Sequence, residues 1–264
     1  MIKYNGEVIY QGRFPDKTLH LTMSAGESMQ HILEWRYEND AELFTLICAR
    51  RHLEEAGVPS VSLQMLYLPH ARMDRAPRET DVFTLKYFCE VINLLNFSWV
   101  EVLDPHSAVS VALLDRVRAI APEEPIERAI ALAHPDIIFF PDEGAMKRYG
   151  DMIRKLHFDG DFAFGMKKRD WDTGKILGLE VYGADVKDKN ILIIDDICSF
   201  GGTFHHSSIK LSELGGAKIS LYVTHCESSI FNGEILKNDL IQKVYTTNSL
   251  PRAQTDERIE VFDI

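Results

Sequence analysis

Apolar and polar positions along this chain fall into short solid apolar runs separated by stretches with helical spacing. Between residues 40 and 56, Leu43, Leu46, Ile47 and Leu53 recur on one helical face, and Gly57-Val58-Pro59 closes the run, which predicts a helix. A second helix is predicted over 81–96, where Phe83, Tyr87, Phe88, Val91, Ile92 and Leu95 form the apolar face. Strand-like pieces precede the first helix at 8–10, 19–23 and 32–37, a strand is read at 62–68, and another at 99–103. A helical segment is expected over 109–120, followed by Ala-Pro-Glu-Glu-Pro at 121–125, the best candidate for a linker or loop.

The pattern then begins again. Strand 137–140 leads into an amphipathic helix reaching about 156; strands follow at 162–166, 177–181 and 191–194, a helix at about 203–214, and strands at 219–223, 244–246 and 259–262. Strands alternating with helices twice over predict two doubly wound α/β halves with mainly parallel sheets.

Composition narrows the function classes. Hydrophobic residues at 45% and charged residues at 26% of 264 positions are those of an ordinary globular chain. The formal charge of −11 argues against a general affinity for nucleic acid or anionic membrane, which need a basic surface. Cys48, Cys89, Cys198 and Cys226 are far apart with no C-x-x-C spacing, so reduced thiols are expected rather than a zinc site. With no signal-like start and no membrane-length apolar run, a cytoplasmic location is expected.

The stretch with most chemistry is ILIIDDICSFGGTF, residues 191–204. A fully apolar strand suits a sheet covered on both faces, and ligands in such sheets bind beyond the strands' carboxyl ends. Asp195 and Asp196 are read there, in a loop after the strand, and Gly201, Gly202 and Thr203 can offer backbone N–H groups to a phosphate at a helix start. Acids suit a divalent cation or ribose hydroxyls. Two other strand ends carry acids, Asp104 with His106, and Asp142, although Asp142 alone could simply cap the following helix. Arg72, Arg75 and Arg78 lie in a Pro-broken stretch suited to gripping a polyphosphate by forked hydrogen bonds. Lys167, Lys168 and Arg169, with the polar stretch 170–174, could close over a transferring phosphoryl group.

Taken in order, these stretches resemble the ribose-phosphate pyrophosphokinase family over nearly the whole chain. LYLPHARMDR is similar to its Y-A-R-Q-D-R segment, LDPH to its D-L-H site, FPDEG to S-P-D-x-G, MKKRD to its catalytic loop, and IIDDICSFGGT to its ribose-phosphate loop; YVTHC and TTNSLP match its closing strands. The resemblance implies two tandem type I phosphoribosyltransferase-like domains, residues 1–124 and 125–252, with 253–264 packing back on the first. It implies transfer of the diphosphoryl group of ATP to the anomeric hydroxyl of ribose 5-phosphate, with Mg2+, in a homodimer or larger assembly. Phe14, Asp16, Arg72, Asp74, Arg75 and His106 would bind ATP; His106 and Asp142 would hold magnesium; Lys167 and Arg169 would be catalytic. Asp195, Asp196, Ser199, Phe200, Gly201, Gly202 and Thr203 would take the ribose phosphate.

This chain departs from the family where the loop usually reads D-D-x-x-D-T-x-G-T: the fifth and sixth positions are Ser199 and Phe200. The early F-S-N-x-E element appears only as Phe14-Pro15-Asp16-Lys17-Thr18. Phe200 could widen or reshape the pocket for a larger 5′-ester such as ADP-ribose, as in NAD metabolism, by stacking on its base. A phosphoribosyltransferase or a catalytically silent nucleotide-binding homologue are the rival readings.

Overall fold

The computed structural model describes residues 1–264 apart from 27, 170–175 and 253, with 167–169 and 176–177 described by backbone alone. The chain divides into two compact units, Met1–Ala121 with Ser249–Pro251, and Pro122–Asn248 with Arg252–Ile264.

The first unit contains β1 (Ile2–Tyr4), β2 (Glu7–Val8), β3 (Tyr10–Arg13), β4 (Leu19–Thr22), β5 (Ile32–Trp35), α1 (Ala41–Glu55), β6 (Ser62–Met65), α2 (Thr84–Leu94), β7 (Val100–Leu103), α3 (Ala108–Leu113) and β8 (Val117–Ile120). Its sheet runs β2-β1-β5-β6-β7-β8, parallel from β5 to β8, and β3 and β4 form a separate antiparallel ribbon. Leu46, Ala49 and Leu53 of α1 and Leu85, Phe88 and Ile92 of α2 bury against Leu33, Trp35, Leu63 and Val102 of the sheet. The helix expected over 109–120 is corrected. It ends at Leu113; Leu114 is extended, Arg116 enters the left-handed region at φ 51°, and Val117–Ile120 pairs in parallel with β7. Arg116 fixes the change of direction by donating from Nε to the Phe97 carbonyl at 2.7 Å.

The second unit contains α4 (Glu123–Ala133), β9 (Ile137–Phe140), α5 (Glu143–Lys155), β10 (Asp161–Arg169), β11 (Ile176–Gly183), β12 (Asn190–Cys198), α6 (Gly202–Glu213), β13 (Lys218–Cys226), two short 3-10 turns (Ser228–Asn232 and Ile235–Lys237), β14 (Lys243–Thr247) and β15 (Ile259–Phe262). Its sheet runs β11-β10-β9-β12-β13-β14-β15, with β11 antiparallel and the rest parallel. Phe204 and Leu211 of α6 cover one face, and Ile126 and Ala129 of α4 with Tyr149 and Ile153 of α5 cover the other. This two-sided cover explains the solid apolar runs of β9 and β12.

Three further expectations change. The supposed linker at 121–125 opens α4: Pro125 sits in the first turn, where its missing N–H costs nothing, and Glu123 and Glu124 complement the helix dipole. The closing strand does not pack back on the first unit, because β15 pairs with β14, Phe262 stacks on Tyr245, and Arg128 lies 4.2 Å over the Phe262 ring. Finally, Asp195 and Asp196 are strand residues rather than loop residues, since β12 follows β13 as far as Cys198↔Cys226.

Candidate active site

The second unit builds its site where neighbouring parallel strands end at different heights. Pairing between β9 and β12 ends at Ile193↔Phe139, while β12 continues beside β13 through both acids. The side of β12 toward β9 therefore opens at Asp195 and Asp196. At the end of β9, Asp142 caps α5, its Oδ1 accepting from the Ala145 N–H at 3.0 Å. The capping role weighed in the sequence is thus present, and it occupies one carboxylate oxygen.

From that cap, α5 carries Arg148 over the acids. Its Nη1 lies 2.9 Å from Asp196 Oδ1 and 3.9 Å from Asp195 Oδ1. Asp196 is buried, and its backbone N–H donates to Asp195 Oδ1 at 2.9 Å. Burial pushes the Asp195 carboxyl well above the usual carboxylate range, with the charge of Asp196 and, more weakly, of Asp142 adding to the effect. Arg148 was not singled out in the sequence, because an arginine on an amphipathic helix reads as part of a solvated face. The available signal was its place in the second turn of the helix that starts at Asp142.

The glycine loop follows at once. Gly201 takes φ +76°, and a Cβ there would collide with Ile235 Cδ1, so side-chain-free backbone is required for the turn. Ile235 comes from the second 3-10 turn, which clamps the loop from behind. Gly202 begins α6 with open space around it, leaving the helix N-terminus approachable. Ser199 Oγ lies 3.0 Å from Ser229 Oγ, which in turn donates to Glu227 Oε2. Phe200 is 59% exposed. Lys167 and Arg169 lie on the outer end of β10, past its last pairing with β9 at Phe164↔Phe140, on the hairpin formed with β11. The stretch 170–174 lies outside the described residues.

The first unit gathers its own candidates on one edge. β6 and β7 are adjacent and parallel, so the segment after β6, with exposed Arg72 and Arg75 and half-buried Asp74, leaves the sheet on the same edge as half-buried His106. Asp104, buried, sits between β7 and His106 with φ 42°, its N–H donating to the Ile120 carbonyl. Phe14 and Asp16 form the tip of the β3–β4 ribbon, where Asp16 Oδ1 accepts from Thr18 and Phe14 packs on His20. Those contacts are local and bring neither residue to that edge.

Among the described residues no three His, Cys, Asp or Glu side chains are grouped as a ready metal cage, and no helix is long and apolar enough to cross a membrane. No family model matches the chain. Curated relatives named ribose-phosphate pyrophosphokinase do: that of Sulfurisphaera tokodaii is 26% identical over 257 residues, covering 95% of this chain and 87% of its own. That of Pyrococcus abyssi is 26% identical over 251 residues, covering 90% and 83%. Among solved structures, phosphoribosylpyrophosphate synthetase from Mycobacterium smegmatis superposes with a TM-score of 0.79 at 17% identity, over 97% of this chain and 86% of that one. The resemblance read in the motifs is borne out by these relatives, and the α/β fold with two mainly parallel sheets by the superposition.

Proposed function

We propose that this relative of the ribose-phosphate pyrophosphokinases transfers the β,γ-diphosphoryl group of ATP to the anomeric hydroxyl of a ribose 5-phosphate compound, with ribose 5-phosphate itself as the first choice. The observation that supports it best is the juxtaposition, on one edge of the second unit, of the Arg148-held acid pair and the open N-terminus of α6. In the reaction the C1 hydroxyl oxygen bonds to the β-phosphorus, the bond from that phosphorus to the α–β bridging oxygen breaks, and AMP leaves with the electron pair. The hydroxyl proton passes to solvent.

Each residue has a physical part in this reading. The N–H groups of Gly202 and Thr203 would hold the 5′-phosphate with the dipole of α6 behind them. Asp195 and Asp196 would accept from the ribose hydroxyls, kept in place by Arg148. Buried, mutually repelling carboxylates suit a ligand that brings hydroxyl donors or positive charge. The uncapped oxygen of Asp142 fits magnesium, which needs only one or two protein ligands beside phosphate oxygens, and His106 would be a magnesium ligand on the edge of the first unit. When bound, the metal would neutralise phosphate charge. Arg72, Asp74 and Arg75 would receive ATP, and Lys167 and Arg169 would stabilise the phosphate charge that grows in the transition state. We place the activity in a homo-oligomer and in the cytoplasm on the same reading.

One observation favours a second reading, in which the acceptor is ADP-ribose and the product ADP-ribose 1-diphosphate. Phe200 stands exposed where the family's loop usually carries threonine, and Ser199 Oγ is tied to Ser229 Oγ. Purified protein given Mg–ATP with each acceptor separately, with AMP and the diphosphorylated sugar followed by mass spectrometry, tests both readings. Nucleotide binding without AMP release would favour the silent homologue instead.

A further inference from the structure

The α6 helix does not end its part in the site at its first turn. From Gly202 and Thr203 a groove of about 760 Å³ runs along it, walled on the helix side by His206, Ser207 and Lys210 and opposite by Pro141 and Leu179. Thr203, His206, Ser207 and Lys210 fall at spacings of three, four and seven, so they share one face of the helix. The groove therefore begins at the loop expected to hold the ribose phosphate and continues along α6.

Two features mark it as more than a surface furrow. Ser207 is 1% exposed, lines the groove, and its Oγ has no hydrogen-bond partner among the described residues. A buried hydroxyl without a partner is costly, and a ligand acceptor atom would remove that cost. The opposite wall is firmly built, since at Gly165 a Cβ would already meet the Pro141 carbonyl at 2.9 Å and Leu179 Cδ1 at 3.0 Å. One side thus offers a helix N-terminus, a hydroxyl, an imidazole and an ammonium; the other offers apolar surface. Lys210 Nζ lies 3.4 Å from Glu213 at the far end, which gives that end an acceptor for ligand hydroxyl or amino groups.

Volume decides which part of a ligand this serves. Pockets of roughly 300–1,000 Å³ enclose molecules of nucleotide size, so a bare 5′-phosphate would leave most of this groove empty. We propose that the groove is a subsite for a 5′-substituent: the acceptor's 5′-phosphate is joined through a second phosphate to a nucleoside, whose phosphate meets Ser207, His206 and Lys210 and whose base lies on Leu179 and Pro141. The inference rests on the diphosphoryl-transfer reading and selects the substrate class within it. The 5′-substituent takes no part in bond making, and contributes only binding and orientation.

The test uses the full-length protein with Mg–ATP, ribose 5-phosphate or ADP-ribose, and the variants Ser207→Ala and Lys210→Glu. Thermal melting of both variants, unchanged from the parent, establishes that they fold. ADP-ribose is expected to be turned over, with kcat/KM reduced about tenfold in Lys210→Glu and less in Ser207→Ala, while ribose 5-phosphate changes by less than about twofold. Turnover of ribose 5-phosphate with none of ADP-ribose would overturn the subsite and leave the proposed reaction standing. Equal loss for both acceptors in the two variants would also overturn it. AMP release with neither acceptor would overturn the proposed reaction, and the subsite with it.

Discussion

Arg148 places its guanidinium 2.9 Å from the Asp196 carboxylate, although the two belong to a helix and a strand nearly fifty residues apart in sequence. Asp196 is almost fully covered, and Arg148 is 23% exposed on its side chain. A buried carboxylate that loses its cation is left with an uncompensated charge, so the pair matters more for what its rupture costs than for what its formation contributes. Arg148→Ala is predicted to lower stability by about 2–4 kcal/mol in urea titration and to abolish turnover. Arg148→Lys keeps the charge but loses the planar fork, and should recover stability more fully than activity.

Asp142 serves as a helix cap and is also assigned a part in metal and phosphate chemistry, and the two can be separated. Asn caps as well as Asp, whereas Ala does not. Asp142→Ala should cost about 1 kcal/mol of stability and Asp142→Asn little, while both lose turnover. Recovery of full activity in the Asn variant would reduce this residue to its cap.

The two loop glycines make opposite demands. At Gly201 the positive φ and the contact with Ile235 leave no room for a Cβ, so Gly201→Ala should lose about 1–3 kcal/mol. At Gly202 the space is open and the backbone is helical, so Gly202→Ala should fold normally. Its effect should appear as a raised KM for the ribose phosphate, because the added methyl would stand where the phosphate is proposed to approach.

Burial pushes the Cys89 thiol up to about 12. Because the folded protein holds this proton more tightly than the unfolded chain, the associated stability is intact below the ordinary thiol range near 9 and is lost as pH rises toward 12. Native protein treated with iodoacetamide at pH 8 should be alkylated at half-buried Cys48 well before Cys89, as peptide mapping would read. Equal rates would contradict the packing of α2.

Lys167→Ala is predicted to lose turnover on the order of 100-fold without a change in thermal melting, since the residue lies past the last β9–β10 pairing. Unchanged turnover would remove the lysine from the mechanism.

Local pattern carried the parts of this fold that depend on local burial. The apolar run at 137–140 is β9 to the residue, and the helical face of α1 is legible because Leu46 and Leu53 both enter the core. Partner strands carried the rest. Val117–Ile120 is a strand because β7 offers an edge, and Asp195 and Asp196 are strand residues because β13 runs beside them. Neither neighbour is visible from a window of ten residues. Phe262 could anchor β15 against either sheet, and only its packing on Tyr245 beneath Arg128 decides. Among the candidate site residues, the acids and glycines stand out in the sequence because few other roles require them in that order. Arg148 and the Ile235 clamp were not, since a helical arginine and a lone isoleucine have many ordinary uses.

The most direct measurement of the central claim is AMP release by the unmodified protein with Mg–ATP, in the presence and absence of a ribose 5-phosphate acceptor. The account predicts AMP formed in equal amount with a sugar 1-diphosphate, and only when acceptor is present. ATP consumed to ADP, or no consumption with either ribose 5-phosphate or ADP-ribose, would contradict it.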